Sequence, residues 1–220
     1  MNHLRRQFAV WGTIVDVDCY SQSVGGADLD RAMETVIEFC ENVDRDFSTY
    51  KDGSWVSRLR RGEVAIGDCP DDVRAVWDLC LAAKDLSDGA FDPWAVAGGF
   101  DPSGYVKGWA ADRVAQILMK AGCEHIQVNA GGDIALRGGS PGGSPWQIGV
   151  AHPEKLGQVS KIYTIKDGAI ATSGTYERGN HIIDPQTKSI AVGSRSATVV
   201  GENAGLADAL ATALVVAGRD

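Results

Sequence analysis

Asp208 and Thr212 stand four residues apart in Ala207-Asp208-Ala209-Leu210-Ala211-Thr212, a spacing that puts a carboxylate and a hydroxyl on one face of a helix. Hard oxygen ligands one turn apart can hold Mg²⁺ when a phosphate and a backbone carbonyl complete the shell. The plainer alternative is a helix in which Asp208 caps or meets solvent and Thr212 bonds back to the preceding turn. A second group is Asp101-Pro102-Ser103-Gly104-Tyr105-Val106-Lys107 at a helix entry. Backbone N–H groups at a helix start favour anions, Lys107 adds a positive charge, and Gly104 and Gly108 let a ligand approach the backbone. Its alternative is a simple capped helix start with an exposed lysine. His181 opens His181-Ile182-Ile183-Asp184-Pro185 and offers an imidazole that titrates near neutrality, either as general base or as a structural strand histidine. Tyr50 and Trp11 present aromatic faces for a flavin or purine ring, or for a core. Taken together, these groups supply oxygens, a cation, an imidazole and Gly-lined backbone, the needs of a site for a nucleotide phosphate and a divalent metal.

The elements that must position these groups are read from hydropathy patterning. Phe8 to Tyr20 alternates apolar and polar residues and predicts one strand with Gly12 as a bulge. Ala27 to Asp44 carries Leu29, Met33, Val36, Ile37, Cys40 and Val43 at helical spacing, with Asp28 as N-cap. Helices are predicted over 71–86, 106–121 and 204–216, each followed by a glycine suited to a C-terminal cap. Short strands are predicted at 126–129 and 134–137 around the tight turn Ala130-Gly131-Gly132-Asp133, and at 146–151. Further strands at 159–165 and 169–173 flank Asp167-Gly168, a hairpin signal, with another at 197–200. Strands and helices mix without strict βαβ alternation, which predicts an α+β fold in a single domain over 1–220.

Composition narrows the function classes. A formal charge of −8 argues against a nucleic-acid surface, and the one basic run, Arg58 with Arg60 and Arg61, reads as a solvated helix end. No apolar run approaches the roughly 20 residues of a membrane span. Met1-Asn2-His3-Leu4-Arg5-Arg6 is followed by no apolar stretch of signal-peptide type, so the expected location is cytoplasmic. The cysteines are five, scattered at 19, 40, 69, 80 and 123, which fits reduced, partly buried thiols rather than disulfides or a zinc site.

Several blocks, in this order, resemble the ApbE family of FAD:protein FMN transferases. They are Trp11-Gly12-Thr13, Phe47-Ser48-Thr49-Tyr50 with Ser54 and Ser57-Arg58-Leu59, Gly89-Ala90-Phe91-Asp92-Pro93, and Asp101 through Lys107-Gly108 to Ala111-Asp112-Arg113. Val128-Asn129-Ala130-Gly131-Gly132-Asp133, Ala171-Thr172-Ser173-Gly174, His181 to Pro185 and Ala207 to Thr212 complete the set. The resemblance implies an ApbE-like mixed sheet with packed helices and an active site in a cleft between two lobes. It also implies that FAD is the substrate and that FMN passes to a threonine of an acceptor flavoprotein, releasing AMP. By the family pattern, flavin and nucleotide contacts fall on Tyr50, Ala90, Phe91, Asp92, Asp101, Lys107 and Ile183. Mg²⁺ (or Mn²⁺) falls on Asp208 and Thr212 with a carbonyl near Gly104, and His181 assists catalysis. Three features depart from the pattern. Trp11, on the flavin side, stands where members usually carry Met. Ala211 stands where some carry a second acid. Only Trp94 to Phe100 separate the Phe-Asp-Pro and Asp-to-Lys-Gly blocks, where the family usually has a long, partly helical segment, so this is a short form. FAD pyrophosphatase and a flavin-binding module without turnover are the competing readings.

Overall fold

The computed structural model describes residues 1–155, 157–174 and 182–218. Strands β1 (Asn2–Val10) and β2 (Thr13–Ser21) form a hairpin, followed by helices α1 (Gly26–Phe47) and α2 (Trp55–Arg60). A short 3-10 turn (Ile66–Asp68) then leads into α3 (Asp71–Leu86) and α4 (Ser103–Lys120). Next come β3 (His125–Ala130), β4 (Asp133–Arg137), β5 (Trp146–Ala151), β6 (Val159–Ile165), β7 (Gly168–Gly174), β8 (Ser196–Gly201) and α5 (Ala204–Ala217). A six-stranded sheet in the order β1-β2-β3-β4-β7-β8 is antiparallel at every pairing, and β5–β6 makes a separate ribbon. Helices and antiparallel strands without βαβ alternation give the expected α+β class.

Strand periodicity sorts the two faces. Val15, Val17, Cys19, Val128, Ala130, Ala135 and Ala169 point to one side and share a core with α1 and α4 residues Met33, Val36, Val114 and Leu118. On the other side, Leu136 and Ile170 pack with Trp146, Ile148 and Ile165 of the ribbon. A third cluster joins α3, α4 and α5 through Val73, Val76, Cys80, Phe91, Phe100, Tyr105 and Ala209.

Three local expectations are corrected. The strand expected over 8–20 with a bulge at Gly12 is a hairpin, because Trp11 (φ 56) and Gly12 (φ 68) both sit in the left-handed region and reverse the chain. Asp28 lies in the first turn of α1, and Gly25 holds the N-cap position. The basic run is no purely solvated helix end, since the Arg60 guanidinium donates to the Ala97 carbonyl at 2.6 Å and lies 3.7 Å from Asp101. That contact ties α2 to the short segment 94–100, which Trp94 and Phe100 further fix by packing on Trp77.

Candidate active site

The site begins with how closely α4 and α5 approach. A Cβ added at Gly108 would lie 2.4 Å from the Ala204 carbonyl group, and one at Gly205 would lie 2.7 Å from Tyr105. Real side chains do not tolerate such distances, so glycine at both positions lets the two backbones touch. The contact brings Lys107 of α4 level with Asp208 of α5. At the sheet, Asp133 starts β4 directly after Gly131 (φ 67) and Gly132 (φ 106), a two-residue turn whose positive φ values glycine adopts without strain. The Gly132 N–H donates to Asn129 Oδ1 at 2.8 Å and fixes the turn.

Lys107 Nζ donates to Asp133 Oδ2 at 2.7 Å, to Asp208 Oδ2 at 2.9 Å and to the Ser103 carbonyl at 3.3 Å. Those three contacts use all the donors of an ammonium. The lysine side chain is 14% exposed, and those of Asp133 and Asp208 are 4% and 7% exposed. The reading of Lys107 as an exposed lysine is therefore corrected: its helix face turns inward. Burial alone would depress the Lys107 pKa, but the two carboxylates outweigh it and raise it above the ordinary lysine value. Burial, then the negative charge of Asp208, push Asp133 well above the usual carboxylate range, with Lys107 opposing both.

Thr212 Oγ1 lies 3.0 Å from Ser173 Oγ of β7. A Cβ on Gly104 would sit 3.8 Å from Thr212 Oγ1 and 3.2 Å from Phe91, so the Gly104 backbone runs alongside the hydroxyl. Asp208, Thr212 and the Gly104 backbone, picked from sequence for an ion, are thus brought to one place. With them come Lys107, Asp133 and Ser173. Asp133 was visible in the sequence only as a turn residue within a family block, and Ser173 only as a strand residue within another. Their link to a helix at the far end of the chain has no local signal.

The donor set tests well against Mg²⁺. It is all oxygen, and the buried Asp133 and Asp208 share a single ammonium, so an added cation would offset the repulsion between them that helps raise Asp133. Among the described residues no group of three or more His, Cys, Asp or Glu gathers to hold an ion.

The residues expected from sequence to contact flavin and nucleotide lie on several separate elements. Phe91 is buried beside Gly104, and Ala90 is partly buried. Asp92 pairs with Lys84 at 2.9 Å and accepts the Trp94 N–H, and Asp101 accepts the Ser103 N–H at the start of α4. Tyr50 is 96% exposed and free to meet a ring. Trp11 is spent otherwise: its indole N–H donates to the Cys40 carbonyl at 3.0 Å and its ring packs against core residues. Ile183 bridges to Ile190, and His181 lies outside the described residues.

Comparison with known proteins identifies the family. The ApbE family model matches residues 11–99 and 97–220, and the chain belongs to the ApbE family. An FAD:protein FMN transferase from Vibrio cholerae is 39% identical over 130 residues, covering 54% of this chain and 39% of the relative. One from Rhodobacter capsulatus is 37% identical over 128 residues, again 54% of this chain but 24% of the relative. The chain thus spans about a quarter to two fifths of the length of these relatives. Another from Chlamydia muridarum is 26% identical over 97% of this chain and 72% of its own length. Among solved structures, the ApbE protein of Thermotoga maritima superposes with a TM-score of 0.88 and 27% identity, covering 100% of this chain and 88% of its own. No helix among the described residues is long and apolar enough to cross a membrane.

Proposed function

We propose that this chain transfers FMN from FAD to a threonine hydroxyl of an acceptor flavoprotein and releases AMP. The observation that carries the reading is the convergence of Asp208, Thr212, Ser173 and the Gly104 backbone, with Lys107 shared between Asp208 and Asp133, in a member of the ApbE family. The attacking threonine oxygen forms a bond to the phosphorus on the FMN side of the pyrophosphate. The P–O bond to AMP breaks, AMP leaves with the electron pair, and the hydroxyl proton passes to a base, for which His181 is proposed. Asp208, Thr212 and the Gly104 carbonyl would hold Mg²⁺, which when bound neutralises charge on the pyrophosphate. Lys107 holds Asp208 in orientation through its hydrogen bond, Asp133 keeps Lys107 in place, and the N–H groups at the start of α4 face the anion. Tyr50, Ala90, Phe91, Asp92, Asp101 and Ile183 are proposed around the flavin and nucleotide. Trp11 is proposed to support that wall from behind.

The test is incubation with FAD, Mg²⁺ and a threonine-bearing peptide, followed by mass spectrometry of the denatured peptide. Peptide carrying one FMN with matching AMP is expected, and Asp208→Ala should lower the yield by orders of magnitude. Free FMN and AMP without labelled peptide would instead mark a pyrophosphatase, and bound but intact FAD a binding module. Replacing His181 by Asn should slow transfer by roughly 10²–10⁴-fold while peptide and FAD still bind. Unchanged rates across pH 6 to 8 would remove His181 from the chemistry.

A further inference from the structure

Helix α5 carries both proposed ion ligands, yet no side chain of its own caps its N-terminus. It opens Ala204-Gly205-Leu206-Ala207, and Asn203 before it makes no side-chain capping bond. The cap comes from α4. Asp112, 7% exposed, accepts the Ala204 N–H through Oδ2 at 2.7 Å, and the Gly205 N–H is also directed at it. Its Oδ1 accepts from Arg137 at 2.9 Å, and Arg137 donates further to the Leu136 and Gly168 carbonyls at 2.8 and 2.9 Å. One buried carboxylate therefore joins α4, the β4–β7 part of the sheet and the N-terminus of α5. Among the described residues neither partner is hydrogen-bonded to Lys107 or Asp208, and the proposed chemistry uses neither.

We propose that Asp112, held by Arg137, is a positioning residue that sets α5 along its axis so that Asp208 and Thr212 meet their partners. This rests on the reading of those two residues as ion ligands. Asp208 lies four residues beyond Ala204, roughly 6 Å along the helix. A helix is stiff over that length, so a slip at its first turn reaches Asp208 and Thr212 undiminished. A carboxylate at the N-terminus also complements the helix dipole, and the paired guanidinium offsets the cost of burying it. Gly108 and Gly205 bring the helices together but leave sliding open, because they present no polar group; the Asp112 hydrogen bonds close that freedom.

The experiment is titration of Mn²⁺ alone into the full chain, followed by electron paramagnetic resonance well below the melting temperature. The variants are Asp112→Ala, Asp112→Asn and Asp208→Ala. Asp208→Ala should lose binding, and Asp112→Ala should weaken it by about 10–100-fold, the range for groups that orient metal ligands. Asp112→Asn, which keeps an acceptor for the Ala204 N–H but loses the ion pair, should fall between Asp112→Ala and the parent. A merely structural Asp112 lowers the melting temperature and leaves Mn²⁺ affinity at the parental value, and that result, with Asp208→Ala defective, overturns the proposal. Parental affinity in Asp208→Ala shows instead that the ligand reading is wrong, and the positioning role falls with it. If Asp112→Ala does not fold, Asp112→Asn decides: a several-fold loss supports the role, and parental affinity rejects it.

Discussion

At the scale of single residues, the centre is governed by charge balance in a place that excludes water. Lys107 faces Asp133 and Asp208 at 2.7 and 2.9 Å, so removing it strands two carboxylates where solvent cannot stabilise them. Breaking a buried pair of this kind costs about 3–5 kcal/mol. Lys107→Ala is therefore expected to lower the melting temperature in EDTA by on the order of 10 °C for a chain of this size. Mg²⁺ should restore part of that loss, because a cation bound only by the folded state replaces the missing charge. Thermal denaturation with and without Mg²⁺ checks this, and an unchanged melting point in EDTA would refute the shared-ammonium picture. Sequence spacing made Asp208, Thr212 and Lys107 candidates, and the family blocks favoured them over the plainer readings. Spacing did not reveal that Lys107 turns inward, since its nearer partner is 26 positions along the chain and the other 101.

Among elements, the α4–α5 contact is the one on which the site depends. Gly108→Ala would place a methyl 2.4 Å from backbone atoms of Ala204, which have no rotamer by which to move aside. The helices must separate, at a cost of about 1–3 kcal/mol or more, and Lys107 should draw away from Asp208. Chemical denaturation should show the loss, and Mn²⁺ affinity should fall alongside it; a variant with parental values for both would mean the helices are not in contact. The β1–β2 hairpin offers a pH test away from the site. Hydrogen bonds from Arg5 lead, with Gln7 adding to them against burial, in holding the Asp16 carboxyl below its ordinary pKa. A depressed folded pKa gives stability that is present above the unfolded value of about 4 and is lost as pH falls through the folded one. Arg5→Gln should thus destabilise only slightly at pH 7, since the exposed arginine is screened by solvent. The difference from the parent should shrink below about pH 4, and a gap constant from pH 3 to 7 in denaturant midpoints would contradict the assignment.

For the whole molecule, the cysteines report on how the clusters open. All five are buried and free. Burial pushes the Cys40 thiol up to about 12 and raises Cys80 further. Thiolate is the reacting form, so neither should react with a disulfide reagent in the native state at pH 8, and all five should titrate on denaturation. Labelling rates should then follow opening of the two helical clusters. Prompt native labelling of Cys40 or Cys80 would show that these clusters are looser than their packing implies.

The sequence by itself determined the α+β class, the main helices, most strands of the sheet, the ApbE family and the placing of a carboxylate and a hydroxyl on one face of the last helix. Each of these is written in short-range periodicity or in a motif whose residues are neighbours in the chain, and local sterics and hydrogen bonding act at that range. The hairpin at Trp11-Gly12 was lost because an alternating pattern continues across a two-residue turn without a break. The tertiary structure alone decided that Asp133 and Ser173 join the centre, that Asp112 caps a helix 92 positions away, and that Trp11 serves the core. Those outcomes follow from glycine-permitted helix contact and strand order. Both are settled by packing between distant segments, for which no single stretch of sequence carries the signal.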